Sequence, residues 1–274
     1  MFKKLLFVLV LASPLFCQGM VVYPAGMNKE NTSSLKKQFG FDYHGVATKK
    51  NKAAYYWAIA KAAPALATAA VKMGYTYVTG KQTKVSQAYK EINEIGSKEA
   101  KSSGEALINI FQKHGLKSLA QFIIDIKNSY KPYEPMIAIM KSLKEKDIPM
   151  RLASNMGPQI LKSSQDMLKN HDLFKDGLLE QGQIVSYSQY GKGDKVECAE
   201  ILCKTPKPDA AYYDSLKANF IKDPKNEIMI VVDDKESNVQ MAAQQGLIGI
   251  HFDDKKADAI ETFKKNLKEL GIKL

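Results

Sequence analysis

Arginine and tryptophan are scarce in this sequence. Arg151 is the only arginine among 40 basic residues, so the other 39 are lysines, and there is a single tryptophan. Nucleic-acid recognition usually relies on arginines interleaved with aromatic residues or on zinc-finger spacing, and neither pattern occurs. We therefore expect no nucleic-acid partner.

Cysteine is limited to Cys17, Cys198 and Cys203. The last two are separated by four residues with no histidine nearby, a spacing that does not fit a zinc site. In an oxidising compartment this pair could form a disulfide. Two unbonded thiols are equally compatible with the pattern.

The N-terminal apolar run, from Leu5 to Phe16, has 12 residues, whereas a membrane-spanning helix needs roughly 20. Two lysines precede the run and small residues follow it, as in a secretory signal peptide. We expect a signal peptide over residues 1–19, cleaved after Gly19, and a secreted or periplasmic protein without stable membrane insertion. An uncleaved membrane anchor is the alternative.

Acidic residues are few in one long interval. Between Lys49 and Lys131 there are 14 lysines and five acidic residues, a net charge of +9. The whole chain has a formal charge of +11, which falls to +9 when Lys3 and Lys4 leave with the signal peptide. This local excess could attract an anionic small molecule or surface, or it could be the solvated face of helices.

The same interval, residues 49–131, has helical patterns throughout. The alanine-rich segment Lys52–Met73 predicts a helix in which Pro64 is a break or a first-turn residue. Further helices are predicted at Val85–Ile95, Gly104–His114 and Leu116–Asn128. We therefore predict an inserted, all-helical unit.

Strands and helices alternate on both sides of that unit. The polar segment Val21–Lys37 predicts an extended leader, followed by a first strand that ends near Asp42. Later strands are predicted at Ile148–Ala153, Gln183–Ser186, Glu227–Val232 and Ile248–Phe252. This alternation predicts an α/β protein: a Rossmann-like parallel sheet core formed by residues 20–48 and 132–274, with 49–131 inserted as a helical cap.

Candidate functional residues stand at the ends of these strands. Asp42, Ser154 and the pair Asp233–Asp234 each end or follow a predicted strand, and ligands of such sheets bind at the strands' carboxyl ends. We expect these side chains to meet at one edge of the sheet beneath the cap. Taken singly, each also has a structural interpretation, since aspartate and serine often cap helices.

Four segments resemble, in order, the motifs of the haloacid dehalogenase (HAD) superfamily. They are F-D-Y-H-G-V at 41–46, L-A-S-N at 152–155, K-P-D-A at 207–210 and V-V-D-D-K-E-S-N at 231–238. The resemblance extends over roughly residues 38 to 255, and the helical interval lies where that family often inserts a cap. It implies a capped HAD hydrolase.

The resemblance implies a phosphorylated aspartate as intermediate. Asp42 is the expected nucleophile, because an ionised carboxylate needs no base to activate it. Two anions approach only with charge compensation, so Mg²⁺ is the expected cofactor. By resemblance Asp42, the His44 carbonyl and Asp234 bind the metal, with Asp233 and Asn238 as supporting metal-site residues.

The resemblance also implies the contacts to substrate. Ser154 would donate a hydrogen bond to a phosphoryl oxygen, Asn155 would lie beside it, and Lys207 would neutralise charge on both the phosphoryl group and Asp42. The expected substrate is a small, soluble, phosphorylated molecule.

His44 departs from the family pattern. In the family's phosphatases this position carries an acid that protonates the leaving oxygen and later activates water. Histidine can act in either step, so we predict a catalytic role for it. The leading hypothesis is a Mg²⁺-dependent phosphate-monoester hydrolase; the alternative is a catalytically degenerate HAD-like protein that binds an anionic ligand or a protein partner.

Overall fold

A computed structural model describes residues 20–94, 104–168, 171, 184–187, 201–203 and 207–274. The predicted signal peptide over residues 1–19 and Cys198, one member of the possible disulfide, lie outside the described residues. Within the described ranges, no helix combines the length and the apolar character needed to cross a membrane.

A seven-stranded sheet forms the centre of the molecule. The strands of the structure are β1 (Val21–Val22), β2 (Lys36–Phe41), β3 (Thr48–Lys50), β4 (Tyr130–Pro132), β5 (Met150–Ala153), β6 (Ile184–Tyr187), β7 (Ile201–Cys203), β8 (Glu227–Asp233) and β9 (Ile248–His251). The central sheet has the order β1-β9-β8-β2-β5-β6-β7. Its neighbours are parallel except for β1, which pairs antiparallel with β9.

Ten helices are described. They are α1 (Lys29–Thr32), α2 (Lys52–Thr79), α3 (Lys84–Glu94), α4 (Glu105–Lys113), α5 (Lys117–Lys127), α6 (Glu134–Lys144), α7 (Pro158–Leu168), α8 (Ala210–Phe220), α9 (Glu236–Gln244) and α10 (Ala259–Glu269). Strands β3 and β4 form a separate antiparallel pair at the two ends of the segment that contains α2 to α5. The mostly parallel sheet with intervening helices confirms the predicted α/β fold class.

Both faces of the sheet are covered by apolar side chains. Along β8, Ile230 and Val232 pack into the larger core cluster, whereas Met229 and Val231 pack into the cluster on the opposite face. This alternation follows from the two-residue period of a strand, and continuous apolar runs such as that of β8 are typical of parallel strands buried on both sides.

The first long strand, β2, is central even though its sequence begins K-K-Q. Phe39 and Phe41 are buried in the larger cluster and stack with ring centroids 5.3 Å apart. The buried Gln38 amide donates to the Phe220 carbonyl at 2.9 Å and accepts from Arg151 Nη1 at 2.6 Å. The polar start of the strand is therefore accommodated by hydrogen bonds at the amino-terminal edge of the sheet.

Two local predictions need correction. Pro64 neither breaks nor begins a helix, because α2 continues through it and ends at Thr79. The proline ring removes one backbone donor, but Ala60 and Pro64 are both exposed, so water can satisfy the carbonyl that loses its helical partner. The predicted leader also contains β1 and the short helix α1, whose N-cap Asn28 accepts hydrogen bonds from the amides of Glu30 and Asn31.

Candidate active site

The carboxyl ends of β2, β5 and β8 bring distant parts of the chain together. Asp42 directly follows β2, Ser154 follows β5, and Asp233 is the last residue of β8. Because β2 lies between β8 and β5 in the sheet, these ends are adjacent, and the Asp42 amide donates to the Val232 carbonyl at 2.9 Å.

The buried ammonium of Lys207 holds this cluster together. Its Nζ donates to Asp42 Oδ1 at 3.0 Å, to Asp233 Oδ2 at 2.5 Å and to the Ala153 carbonyl at 2.7 Å. Burial opposes the charged form, but the carboxylates of Asp233 and Asp42 raise the pKa of Lys207 well above its ordinary value. The lysine is therefore a fixed positive charge at the carboxylate of Asp42.

Asp233 accepts three hydrogen bonds from protein donors. Its Oδ2 accepts from Lys207, while its Oδ1 accepts from the Lys235 amide at 2.9 Å and from Asn238 Nδ2 at 2.8 Å. Asp233 therefore positions the Lys207 ammonium, and Asn238 positions Asp233. Because Oδ2 accepts only from Lys207, it keeps one acceptor position, and the role of Asp233 and Asn238 as supporting metal-site residues stays a prediction.

Asn155 lines the site and contacts the backbone of Lys207. Its Nδ2 donates to the Lys207 carbonyl and its Oδ1 accepts from the Lys207 amide, both at 2.8 Å. The two ends of the side chain amide are thus used by the backbone of one residue. Asn155 therefore positions Lys207, and its predicted contact with a substrate stays a prediction.

Asp42, Asp233 and Asp234 form one carboxylate cluster, with an oxygen from each lying within 4.8 Å of the others. Burial and the neighbouring charges of Asp42 and Asp233 raise the pKa of Asp234 to about 7. Lys207 is paired with Asp42 and Asp233, and for Asp234 the charges of Lys235 and then Lys207 offset only part of the rise in pKa. Carboxylate oxygens are hard ligands, so the cluster fits a divalent cation, which Asp42 and Asp234 would hold.

The turn after β2 fits closely against Asp234. Gly45 has a φ of +86°, and a Cβ at this position would lie 2.7 Å from Asp234 Oδ2. Its amide donates to the Thr48 carbonyl at 2.8 Å, which closes the turn. Glycine is therefore required here both by the backbone conformation and by the position of the carboxylate.

His44 points toward the carboxyl end of α5. Its Nε2 lies 3.3 Å from the Lys127 carbonyl, and its ring contacts the rings of Tyr43 and Tyr130 with centroid distances of 4.9 and 4.3 Å. A carbonyl only accepts, so the imidazole donates from Nε2. Burial, followed by the nearby charge of Lys127, lowers the pKa of His44 to about 3. The ring is neutral near pH 7 and holds no spare proton for a leaving group.

A cavity of about 210 Å³ opens over these groups. Seven predicted site residues line it: Asp42, His44, Ser154, Asn155, Lys207, Asp234 and Asn238. Three lining residues were not predicted: Lys127, Tyr130 and Lys235. Lys235 directly follows the Asp233–Asp234 pair, so the sequence could have indicated that it lies at the site. Lys127 and Tyr130 come from the end of α5 and from β4, and no local pattern sets them apart from other lysines and tyrosines.

No family model matches this chain, and no curated protein does. A HAD family enzyme from Bacteroides thetaiotaomicron is 14% identical over 81% of this chain and 95% of that chain, with a TM-score of 0.48. A HAD-superfamily hydrolase from Ehrlichia chaffeensis is 16% identical over 86% and 98%, with a TM-score of 0.42.

The L-2-haloacid dehalogenase of Xanthobacter autotrophicus, with chloropropionic acid covalently bound, is 13% identical over 88% of this chain and 85% of that chain, with a TM-score of 0.42. These hydrolases are of the superfamily that the four motifs resemble. At such low identities and TM-scores the likeness carries no information on activity, which depends on the residues of this chain.

The raised pKa of Asp234 predicts how metal binding depends on pH. Below about pH 7 a proton competes with the cation, so apparent Mg²⁺ affinity should fall about tenfold for each pH unit. Without metal, the folded state retains this proton more tightly than the unfolded chain, so Asp234 makes the free energy of unfolding fall as pH rises from about 4 to about 7.

Thermal unfolding at pH 5.5 and pH 8, with and without Mg²⁺, measures both effects. The midpoint should rise with Mg²⁺ at pH 8 and respond weakly at pH 5.5. Asp234→Asn should remove the metal response at both values. An equal Mg²⁺ shift in the variant would contradict the assignment of Asp234 as a ligand.

The close fit at Gly45 predicts a sharp difference between two glycine substitutions. Gly45→Ala should abolish the Mg²⁺-dependent rise in the unfolding midpoint, because the new methyl group displaces the Asp234 carboxylate. The matched control is Gly80→Ala, where φ is also positive, at +70°, but nothing lies within 4 Å of the added Cβ. Both should lose stability from backbone strain, by about 1–3 kcal/mol, and Gly80→Ala should keep its metal response.

Proposed function

We propose that this protein is a Mg²⁺-dependent hydrolase of small phosphate monoesters that acts through a phosphorylated Asp42. The observation that carries the proposal is the position of Asp42, which contacts the fixed charge of Lys207, shares a carboxylate cluster with Asp234 and faces a cavity of about 210 Å³. A hydrolase fold alone would leave the substrate class open.

The residues around the cavity have complementary roles in this reaction. Lys207 holds Asp42 Oδ1, so the other carboxylate oxygen attacks the phosphorus atom, and the bond to the leaving oxygen breaks. Ser154 donates to a phosphoryl oxygen, and Lys127 and Lys235 offset its negative charge. A bound divalent cation supplies further charge neutralisation between the two anions. Water then attacks the phosphorus atom, the bond between phosphorus and the Asp42 oxygen breaks, and inorganic phosphate leaves with the oxygen and protons of the water.

Charge supports an anionic substrate. Two aspartates and three lysines line the cavity: Asp42, Asp234, Lys127, Lys207 and Lys235. Asp233, which is paired with Lys207, balances the third lysine, so a bound divalent cation would make the site positive and match a phosphate dianion. The small volume of the cavity favours a correspondingly small organic group.

The geometry of His44 narrows the substrate class. Because its Nε2–H is directed at the Lys127 carbonyl, the imidazole does not offer a proton to the departing oxygen. Substrates whose leaving group departs as a stable anion need no such proton. We therefore place phenols, acidic alcohols and carboxylic acids first among the esterified groups.

Release of inorganic phosphate from small esters tests the main proposal. The native chain should show turnover that requires Mg²⁺ and stops with chelator, and Asp42→Asn should lose at least about a thousandfold in rate, because the nucleophile is gone. Asp214→Asn, an exposed carboxylate paired with Lys217 on α8, is the matched control and should keep full activity. Binding of phosphate esters without any Mg²⁺-dependent turnover would instead favour the degenerate, ligand-binding alternative.

Because His44 offers no proton to the departing oxygen, the rate of hydrolysis should depend strongly on the leaving group. Across a series of substituted phenyl phosphates, the rate of the native chain should rise steeply as the pKa of the phenol falls. His44→Asp supplies an acid and should flatten this dependence, with its largest gain on the poorest leaving groups. The double variant Asp42→Asn/His44→Asp controls for contaminating phosphatase. A shallow dependence in the native chain, unchanged by the substitution, would refute the role assigned to His44.

A further inference from the structure

Glu105 is a buried carboxylate that the proposed reaction does not use. It is the first residue of α4, in the predicted cap, and is only 5% exposed. Its Oε1 accepts from Gln159 Nε2 at 2.9 Å, and its buried Oε2 has no hydrogen-bond partner among the described residues. Burial raises the pKa of Glu105, because it opposes the charged form. A buried polar group with an unsatisfied oxygen requires a physical explanation.

The carboxylate of Glu105 lies at the beginning of α7. The Gly157 carbonyl accepts from the Leu161 amide at 2.9 Å, so Gly157 occupies the N-cap position of this helix. Glycine has no side chain that could accept from the first amides of the helix, and the Gln159 amide donates instead to Glu105 Oε1 at 3.5 Å. Glu105 thus takes the role that the side chain of an N-cap residue normally has, at the positive end of the helix dipole.

The space beside Gly157 is filled by Glu105. A Cβ added at Gly157 would overlap with the Cβ and Oε2 atoms of Glu105. A serine or aspartate at position 157 could cap α7 locally, but only with a smaller residue at position 105. Such a local cap would bury no unsatisfied carboxylate oxygen, so stability alone does not account for Glu105. What Glu105 provides, and a local cap would not, is a bond between α4 and α7.

Two further residues of α4 bind the same side chain of α7. Glu105, Asn109 and Gln112 recur at intervals of four and three residues, so they lie on one face of α4. Gln159 Nε2 donates to Glu105 Oε1 and, at 2.7 Å, to Asn109 Oδ1, while its Oε1 accepts from Gln112 Nε2 at 3.1 Å. We call these four residues the α4–α7 contact. Both side-chain amide protons of Gln159 are used by α4, which ties the first turn of α7 to that helix.

We propose that Glu105 is a positioning residue for the phosphoryl contact of Ser154, an inference that rests on the proposed function. Ser154 lies in the loop between β5 and α7, and Gly157 is the last residue of that loop. On one side the loop is held by the hydrogen bonds of Asn155 to the backbone of Lys207. The α4–α7 contact holds the end at which α7 begins. Fixed at both points, the loop keeps Ser154 at the cavity that it lines.

Exchanging the residues at positions 105 and 157 separates positioning from simple stabilisation. Glu105→Gly removes the carboxylate, and the double variant Glu105→Gly/Gly157→Ser also supplies a local N-cap in the space that is freed. Neither variant has the bond from residue 105 to Gln159. Thermal unfolding should show a lower midpoint for the single variant, and the double variant should recover most of this loss.

The KM for phenyl phosphate in the presence of Mg²⁺ is the second readout. Ser154 contacts the phosphoryl group in the substrate and in the transition state alike, so its displacement should raise KM about tenfold and change kcat by less than about twofold. The double variant should keep the raised KM although its unfolding midpoint recovers. A native KM in Glu105→Gly, or a KM that recovers together with the midpoint, would overturn the proposal.

Glu134→Gly is the matched control, because Glu134 is also the first residue of a helix, α6, but is exposed; this variant should keep the native KM. Hydrogen–deuterium exchange tests the inference without turnover. The amides of residues 154–157 should exchange at least about fivefold faster in Glu105→Gly and in the double variant, and at the native rate in Glu134→Gly.

The two measurements distinguish the two proposals. Faster exchange at 154–157 in a protein whose native chain shows no Mg²⁺-dependent turnover would refute the proposed function but support the positioning of the Ser154 loop by Glu105. Unchanged exchange at 154–157 in Glu105→Gly would overturn that positioning, whether or not phosphate esters are hydrolysed.

Discussion

The ion pairs of one buried lysine are the constraint on which the candidate site depends. Lys207 joins Asp42, Asp233 and the carbonyl of Ala153, and so ties the ends of β2, β8 and β5 to the loop before α8. An ammonium in this environment is tolerated only because its hydrogen bonds are complete, and removing one partner would leave a buried charge uncompensated. The same bonds fix the carboxylate of Asp42 in one orientation, which is what a nucleophile requires.

The hydrogen bonds of the three aspartates differ in this arrangement. Asp233 accepts three from protein donors, whereas Asp42 accepts one from Lys207, so Asp42 and Asp234 have more acceptor positions to offer an added cation. Burial, and then the charges of Asp42 and Asp233, raise the pKa of Asp234. Position 45 can hold only glycine, because a larger residue would occupy the volume of the Asp234 carboxylate. The Asp234 carboxylate is thus constrained both by the neighbouring charges and by close packing against Gly45.

The sequence predicted those parts of the site that depend on single strand ends. Asp42, Ser154 and Asp234 meet because strands of a parallel sheet finish at one edge, and the order of the motifs supplies Lys207. It did not predict that Asn155 and Asp233 would hydrogen-bond to Lys207, because those contacts depend on how the surrounding loops fold. Nor could it predict Lys127, whose place in the cavity depends on how α5 packs relative to the core. The sequence also did not predict that α2 continues through Pro64, because this depends on the solvent exposure of Ala60 and Pro64.

The most direct test of the account is chemical identification of the phosphorylated residue. The full chain is incubated with Mg²⁺ and phenyl phosphate, quenched in acid and treated with borohydride. Borohydride reduces an acyl-phosphate side chain to an alcohol, and peptide mass spectrometry locates the reduced residue. The account predicts reduction at Asp42 alone, dependent on both Mg²⁺ and substrate. Reduction at another residue, or none at Asp42 while phosphate is being released, would contradict it.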